Sequence, residues 1–409
     1  MGRLILCICS GLASGMPLYV LLQLVPAWLR DSGVSLTEIG VLSLVALPYS
    51  WKFLWAPWLD SVQLLLGLRR GWMLITQMAL LGAVGVLGML DPTQEISTVT
   101  VLLFLVALFS ATQDIAIDAY RRELLSDAEL GLGNAIHVQA YRISSLVPGS
   151  LSLILADSMP WSWVFPLTAA FMLGSVVFTL LITEPLRPES VQRSGLTATI
   201  FDPFAEYLGR RGWRAAALAL GFMVLYKLGD NMATALATPL YMDLGFTKTQ
   251  IGLVAKHAAL WPAILGGLLG GVLMLRLGIN RALWLFGAIQ MISILGFAWL
   301  ASVGPEVWVL AIVIAFEYLG VGLGTAAFTA FIARESSRTF AATQFALFTA
   351  MAALPRSLAN ATTGVLVEQM GWVSFFWLCT ALAIPGLVLL YWVAPWSGDS
   401  DTPAAESRV

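Results

Sequence analysis

The sequence predicts an all-α polytopic membrane protein of twelve helices, arranged as two six-helix pseudo-symmetric halves. Three observations predict it. Of the 409 residues, 59% are hydrophobic and 11% charged, where a soluble domain carries roughly a quarter charged residues. Apolar windows long enough to cross a hydrocarbon core, roughly 20 residues each, recur about twelve times. Segments of the first half also reappear in the second at a nearly constant spacing.

The windows lie near residues 4–29, 36–58, 71–91, 98–120, 132–157, 161–183, 215–241, 248–275, 282–302, 306–333, 341–367 and 372–396. Each closes at a charged or Pro/Gly-rich flank. The N-terminal run is too long for a cleaved signal peptide and has no obvious cleavage site, so it reads as the first span. Between the sixth and seventh windows, "TEPLRPESVQRSGLTATIFDPFAEYLGRRGWR" is the only long polar stretch. It reads as a linker with a short amphipathic helix. The expected organisation is therefore a first half over 1–183, a linker over 184–214, a second half over 215–396 and a tail over 397–409.

Of the 22 lysines and arginines, fifteen fall on the side that holds the termini and the linker, and the opposite side has only Arg30 and Lys248. The positive-inside rule places both termini in the cytoplasm. A net charge of -2 gives no bias toward nucleic acid. Cys7, Cys9 and Cys379 sit in apolar runs without metal spacing, and His137 and His257 are the only histidines. No metal or other cofactor is expected.

The repeat is specific. "DSGVSLTEIG" (31–40) and "DLGFTKTQIG" (243–252) match at Asp, Gly, Thr, Ile and Gly, 212 residues apart. "GLRRGWML" (67–74) and "GINRALWL" (278–285) align Gly67 with Gly278 and Arg70 with Arg281. Same-topology repeats about an axis along the membrane normal are the build of the major facilitator superfamily. Asp60, Arg69 and Arg70 resemble a degenerate form of that superfamily's cytoplasmic loop motif, and with Asp118, Arg121 and Arg122 they are candidates for a cytoplasmic gate.

Nine charges lie within the windows: Lys52, Asp114, Asp118, Arg142, Lys227, Asp230, Lys256, Glu317 and Arg356. At roughly 2.5–3.5 kcal/mol each, leaving all of them toward lipid would cost on the order of 25 kcal/mol. They must pair or face a cavity. They fall in spans 2, 4, 5, 7, 8, 10 and 11, and spans 3, 6, 9 and 12 have none; in the superfamily the latter four face lipid. Asp114 and Asp118 share a helix face, as do Lys227 and Asp230. Asp118 has a structural alternative, an ion pair with Arg121, Arg122 or a neighbouring loop arginine, and Lys227–Asp230 another, an internal salt bridge. Glu317 is the most isolated carboxylate, and Gly320, Gly322 and Gly324 beside it suggest close helix packing. Asp114, Asp230 and Glu317 are candidates for proton coupling. The second half has one spare cation, which suits an anionic solute. Trp51, Trp55, Trp58, Tyr141, Tyr226 and Trp261 offer stacking surface or interfacial anchors.

"LASGMPLYVL", "PYSWKFLWAPWLD", "SATQDIAIDAYRRELL", "YKLGDNMATALATPLYMDLGF" and "FEYLGVGLGTAAFTAF" resemble the AmpG-type muropeptide permeases of bacterial inner membranes, nearly end to end. The resemblance implies proton-driven import of anhydromuropeptides, anionic sugar-peptides recovered from the cell wall, and in some bacteria control of beta-lactamase induction. It implies Lys52, Gln113, Tyr141, Arg142, Tyr226, Lys227, Lys256 and Gln344 as cargo-binding residues, joined by Arg356 on charge grounds. The partners expected are the cargo, protons and the lipid bilayer, with the protein a monomer. Tyr318, His257 and Trp261 depart from the family pattern and bear on cargo identity. A proton-coupled siderophore permease of the same broad family is the alternative. A polytopic membrane enzyme is more remote, because the charges are spread over both halves and form no nucleophile–base set.

Overall fold

A computed structural model of the chain describes residues 2–59, 62–64, 66–125, 127–184, 196–336 and 341–396. Helical backbone runs through all twelve predicted windows: α1 (2–31), α2 (36–59), α3 (Leu68–Leu87), α4 (Ile96–Leu124), α5 (127–158), α6 (Trp161–Leu181), α7 (213–243), α8 (248–277), α9 (279–303), α10 (Val307–Glu335), α11 (341–370) and α12 (372–393). A linker helix, Leu196–Arg211, separates α6 from α7. Among the described residues, seven stretches are long and apolar enough to count unaided as membrane spans. Two of these, Lys248–Val303 and Leu347–Val393, each hold two helices that meet at a glycine with positive φ, Gly278 (72°) and Gly371 (76°).

Irregular turns interrupt several of the spans. α1 contains a π turn at Val20–Leu24 just before Pro26, and α5 one at Val147–Leu151 that contains Pro148. Proline donates no backbone hydrogen bond, so the helical ladder must shift around it. α2 is broken by 3-10 turns at Ser43–Ala46 and Lys52–Leu54, and α8 opens with a π turn at Ile251–Ala255.

The sequence repeat is structural. Ser35 and Glu38 form a capping box that starts α2, and 212 residues later Thr247 and Gln250 form another that starts α8. Each satisfies two backbone donors that the first turn leaves without partners. Gly33 (φ 88°) and Gly245 (φ 92°) make the preceding turns.

The chain divides into two compact units. One comprises Met1–Gln192, Ala235–Leu260 and Asn360–Gln369, and the other Arg193–Thr234, Trp261–Ala359 and Met370–Val409. The first is centred on Leu59, Trp72, Met73, Ile117 and Tyr120. The second has an aromatic core of Tyr207, Phe222, Phe286, Phe331 and Phe348. Large apolar side chains also cover the outside, among them Leu275 (86% exposed) and Leu181 (77%). Such a surface is stable against lipid and not against water.

Candidate transport site

The irregular turns carry the polar groups. Lys52 opens the 3-10 turn of α2, Gln23 lies in the π turn of α1, and Lys256 follows directly on the π turn of α8. Departures from α geometry of this kind recur at functional positions because they re-aim side chains.

In the first unit the Lys52 ammonium stands 3.8 Å from both Asp114 and Asp118. That is ion-pair range and beyond hydrogen-bond range. The two contacts are not equal. Asp114 is buried and takes a hydrogen bond from the Ser14 hydroxyl of α1, whereas the Asp118 side chain is 51% exposed and is also held by Arg121 at 3.0 Å. A half-exposed pair contributes about 0.2–1 kcal/mol. The gross attraction of Lys52 for the buried Asp114 is about 4 kcal/mol at an effective dielectric near 20. Asp114 thus dominates what holds Lys52, and the ion pair expected for Asp118 forms with Arg121.

Asp114 has tyrosines and further cations in its surroundings. Its charge acts on Tyr141 and Tyr49. The Tyr141 ring lies 5.5 Å from that of Tyr19, and the charge of Arg142 reaches Tyr19 as well. The Lys256 ammonium sits 5.3 Å over the Tyr19 ring and donates to Gln23 Oε1 at 3.0 Å. Lys256 is only 8% exposed, so its amine is held at depth by an aromatic face and one amide. Gln113 lies beside this set but is committed to packing, since its amide donates to the Ala13 carbonyl at 2.9 Å and ties α4 to α1. Trp55 donates to Thr112 at 3.1 Å, while Trp51, Trp58 and Trp261 are largely exposed.

In the second unit Lys227 pairs with Asp230 at 3.4 Å, as the i,i+3 spacing predicts. Asp230, Lys227 and Ser293 are the polar neighbours of Glu317, which is fully buried. Two further candidates are engaged otherwise. The Tyr226 hydroxyl donates to the Leu283 carbonyl at 2.9 Å within the aromatic core. Gln344, also fully buried, donates to Glu206 of the linker helix at 2.5 Å. Asp60 lies outside the described residues, and of Arg356 only the helical backbone is described.

The arginines at the linker-side ends are satisfied by carboxylates that the sequence reading did not single out. Arg69 pairs with Glu123 at 2.7 Å. The Glu184 carboxylate accepts from the backbone N–H of Arg69 (2.7 Å) and Arg70 (3.0 Å), capping α3, while the Arg70 guanidinium donates to the carbonyls of Thr179 and Leu180. Arg122 is exposed. At the repeat position of Glu123 stands Glu335, fully buried, which holds Arg211 and Tyr207 of the linker helix. The Arg-Glu dipeptides at 122–123 and 334–335, 212 apart, were the signal available for this pair. Gln23 had none beyond being one amide in an apolar run.

The Major Facilitator Superfamily model matches residues 5–360. An uncharacterized protein of Haemophilus influenzae is 49% identical over 402 residues, 96% of this chain and 95% of that one. The anhydromuropeptide permease of Escherichia coli K12 is 38% identical over 383 residues, 93% of this chain and 77% of that one. The crystal structure of the nucleoside transporter NupG shares the fold, with a TM-score of 0.72 over 97% of this chain and 99% of that one at 14% identity. This chain belongs to the major facilitator superfamily and, within it, to the AmpG-type permease family: it is a polytopic membrane transporter, not an enzyme.

Proposed function

We propose that this transporter imports anhydromuropeptides across the bacterial inner membrane, driven by protons, with both termini in the cytoplasm and a monomer as the working unit. The observation that carries the reading is the 38% identity with the Escherichia coli anhydromuropeptide permease along 93% of the chain. The buried Lys256, the Tyr19 and Tyr141 rings, Arg142 and Lys52 supply what an anionic sugar-peptide needs: cations for carboxylates and flat faces for sugar rings. Transport proceeds by alternating access, the six-helix halves 1–183 and 215–396 rocking about a site near the midplane. Asp114, Asp230 and Glu317 are the groups available to couple protonation to that switch. Arg69, Arg70, Asp118, Arg121 and Arg122 act at the cytoplasmic mouth.

The test is uptake into proteoliposomes under an imposed proton gradient, comparing labelled anhydromuropeptide, a ferric siderophore and no cargo. Gradient-dependent muropeptide accumulation is expected. Accumulation of the siderophore alone would overturn the cargo and keep the coupling.

A further inference from the structure

The two charged clusters differ in charge balance. Asp114 belongs to an ion-paired set with Lys52, Asp118 and Arg121, and within that set two carboxylates face two cations, so its charges balance when every member is ionised. Around Glu317 the charged neighbours are Asp230 and Lys227: two carboxylates and one cation. Among the described side chains, with every group ionised, this second cluster holds one more negative charge than positive inside the membrane, and one added proton balances it.

The burial sharpens the difference. Glu317 is 0% exposed and Asp230 5%, and among the described residues no donor meets hydrogen-bond geometry at either oxygen of Glu317 or at Oδ1 of Asp230, although Asp230 and Ser293 lie beside Glu317. Ser293, the nearest hydroxyl from α9, donates instead to the Gln290 carbonyl at 2.8 Å. Gln290 is itself buried, with its amide nitrogen lacking a partner. It packs on the α10 face that carries Glu317, Gly320 and Gly324: a Cβ at Gly324 would fall 2.5 Å from Gln290 Oε1 and 3.5 Å from Lys227 Nζ. Cys379 of α12 is the remaining titratable neighbour. An ionised Glu317 would lack the two or three donors that stabilise a buried carboxylate, whereas Asp114 has the Ser14 hydroxyl and Lys52.

We propose that Glu317 is the group that takes up and releases the transported proton, with the Lys227–Asp230 pair setting its charge state from α7, and that the Lys52–Asp114–Asp118–Arg121 set stays ionised. The proposal rests on the reading of this protein as a proton-coupled importer. In the loading step a proton from the aqueous phase bonds to a Glu317 carboxylate oxygen and the cluster loses its net charge. In the release step the O–H bond breaks toward the opposite aqueous phase and the charge returns.

The test is infrared difference spectroscopy of the full-length protein in liposomes, exchanged between water and heavy water at neutral pH, with no cargo present. The expected result is a protonated-carboxyl stretch in the wild type that is lost in Glu317→Gln and kept in Asp114→Asn. Asp230→Asn leaves Glu317 facing Lys227 alone, so the band is expected to vanish there too, and Glu317→Asp, which keeps an acid in place, is expected to shift the band without abolishing it, which separates Glu317 from Asp230 and keeps the test decisive if Glu317→Gln fails to fold. A band that survives both Glu317→Gln and Asp230→Asn, or one lost only in Asp114→Asn, would overturn the assignment. Gradient-driven uptake gives the second readout: Glu317→Gln is expected to lose accumulation by at least tenfold yet exchange preloaded cargo at the wild-type rate. Because the infrared measurement uses no cargo, a mistaken cargo changes only the uptake arm.

Discussion

Asp31 and Asp243 hold the same place in the two sequence repeats, and each is engaged by a cation from the other repeat: Lys248 reaches Asp31 at 2.9 Å and Arg30 reaches Asp243 at 2.6 Å. The exchange extends to the helix caps. The Thr37 backbone and hydroxyl of α2 donate to Glu368 of α11, and the Thr249 backbone of α8 donates to Asp157 of α5. All of these residues belong to the first compact unit. Four carboxylates thus fasten the turns at the end opposite the arginine-rich one.

This clasp predicts graded loosening. Each exposed pair contributes about 0.2–1 kcal/mol, so Asp31→Asn or Asp243→Asn alone should shift opening by no more than about fivefold. Asp31→Asn with Asp243→Asn and Glu368→Gln should shift it by ten- to a hundredfold. The measurement is the labelling rate, in spheroplasts, of a cysteine at Ser43, about two turns below Ser35 on α2, with Cys7, Cys9 and Cys379 replaced by alanine. Equal rates in the single and triple variants would mean the clasp does not hold that end closed.

The start of α3 predicts a stability effect. Gly67 has φ 111°, and a Cβ there would fall 2.6 Å from the Glu184 carboxyl carbon that caps the helix. Gly67→Ala therefore meets both backbone strain and a displaced cap, and about 1–3 kcal/mol should be lost. Glu184→Ala removes an acceptor at a helix N-terminus and should cost about 1–2 kcal/mol. Thermal unfolding in detergent reads both, and the double variant should cost less than the sum because the two changes damage one contact.

The spans, the repeat and the charged residues at membrane depth were legible because each is a local property: a run of apolar residues, a matched motif, a charge where none is cheap. Partners were not. Tyr226 reads as a cargo residue beside Lys227, but its hydroxyl goes to Leu283, 57 residues away, and nothing near Tyr226 in sequence announces that carbonyl. Gln344 meets Glu206 across 138 residues in the same way. Asp118 was the opposite case: Arg121, one of the arginines the sequence offered as its partner, lies one helical turn away and pairs with it.

Lys52 predicts the sharpest transport phenotype in the first unit. Lys52→Met would leave the buried Asp114 with only the Ser14 hydroxyl and the more distant Arg121. An unpaired buried carboxylate costs several kcal/mol and takes up a proton instead. Lys52→Met should then lower uptake at least tenfold, while Lys52→Arg keeps the charge and should retain more activity. The second change Asp114→Asn, placed on Lys52→Met, should restore thermal stability without restoring transport. Recovery of transport in that double variant would show that Lys52 serves only to neutralise Asp114.

Glu335 gathers several of the contacts that hold the linker helix within the second unit. Glu335 is fully buried and accepts from Arg211 and from the Tyr207 hydroxyl at 3.1 Å, and its backbone carbonyl accepts from Arg210 at 2.7 Å. Burial first, and then the Glu335 charge, push the Tyr207 phenol above its ordinary value. A group whose value is raised by folding contributes stability that is fully present below its unfolded value, about 10 for tyrosine. That contribution is lost as pH climbs through the higher folded value. The linker helix should therefore stay docked through the neutral range and loosen only in strong alkali, and Tyr207→Phe should abolish this alkaline dependence. Glu335→Ala should act at every pH. The Arg211 side chain is 41% exposed and can turn to water, so the loss should be about 1–3 kcal/mol and not the 3–5 kcal/mol of a fully enclosed pair. Trypsin cleavage after Arg210 and Arg211, which requires the helix to open, should then accelerate at least fivefold in Glu335→Ala at pH 8 and remain unchanged in Tyr207→Phe. Equal cleavage of Glu335→Ala and wild type would show that the aromatic contact between Tyr207 and Phe348, whose ring centroids lie 4.7 Å apart, holds the helix without the carboxylate.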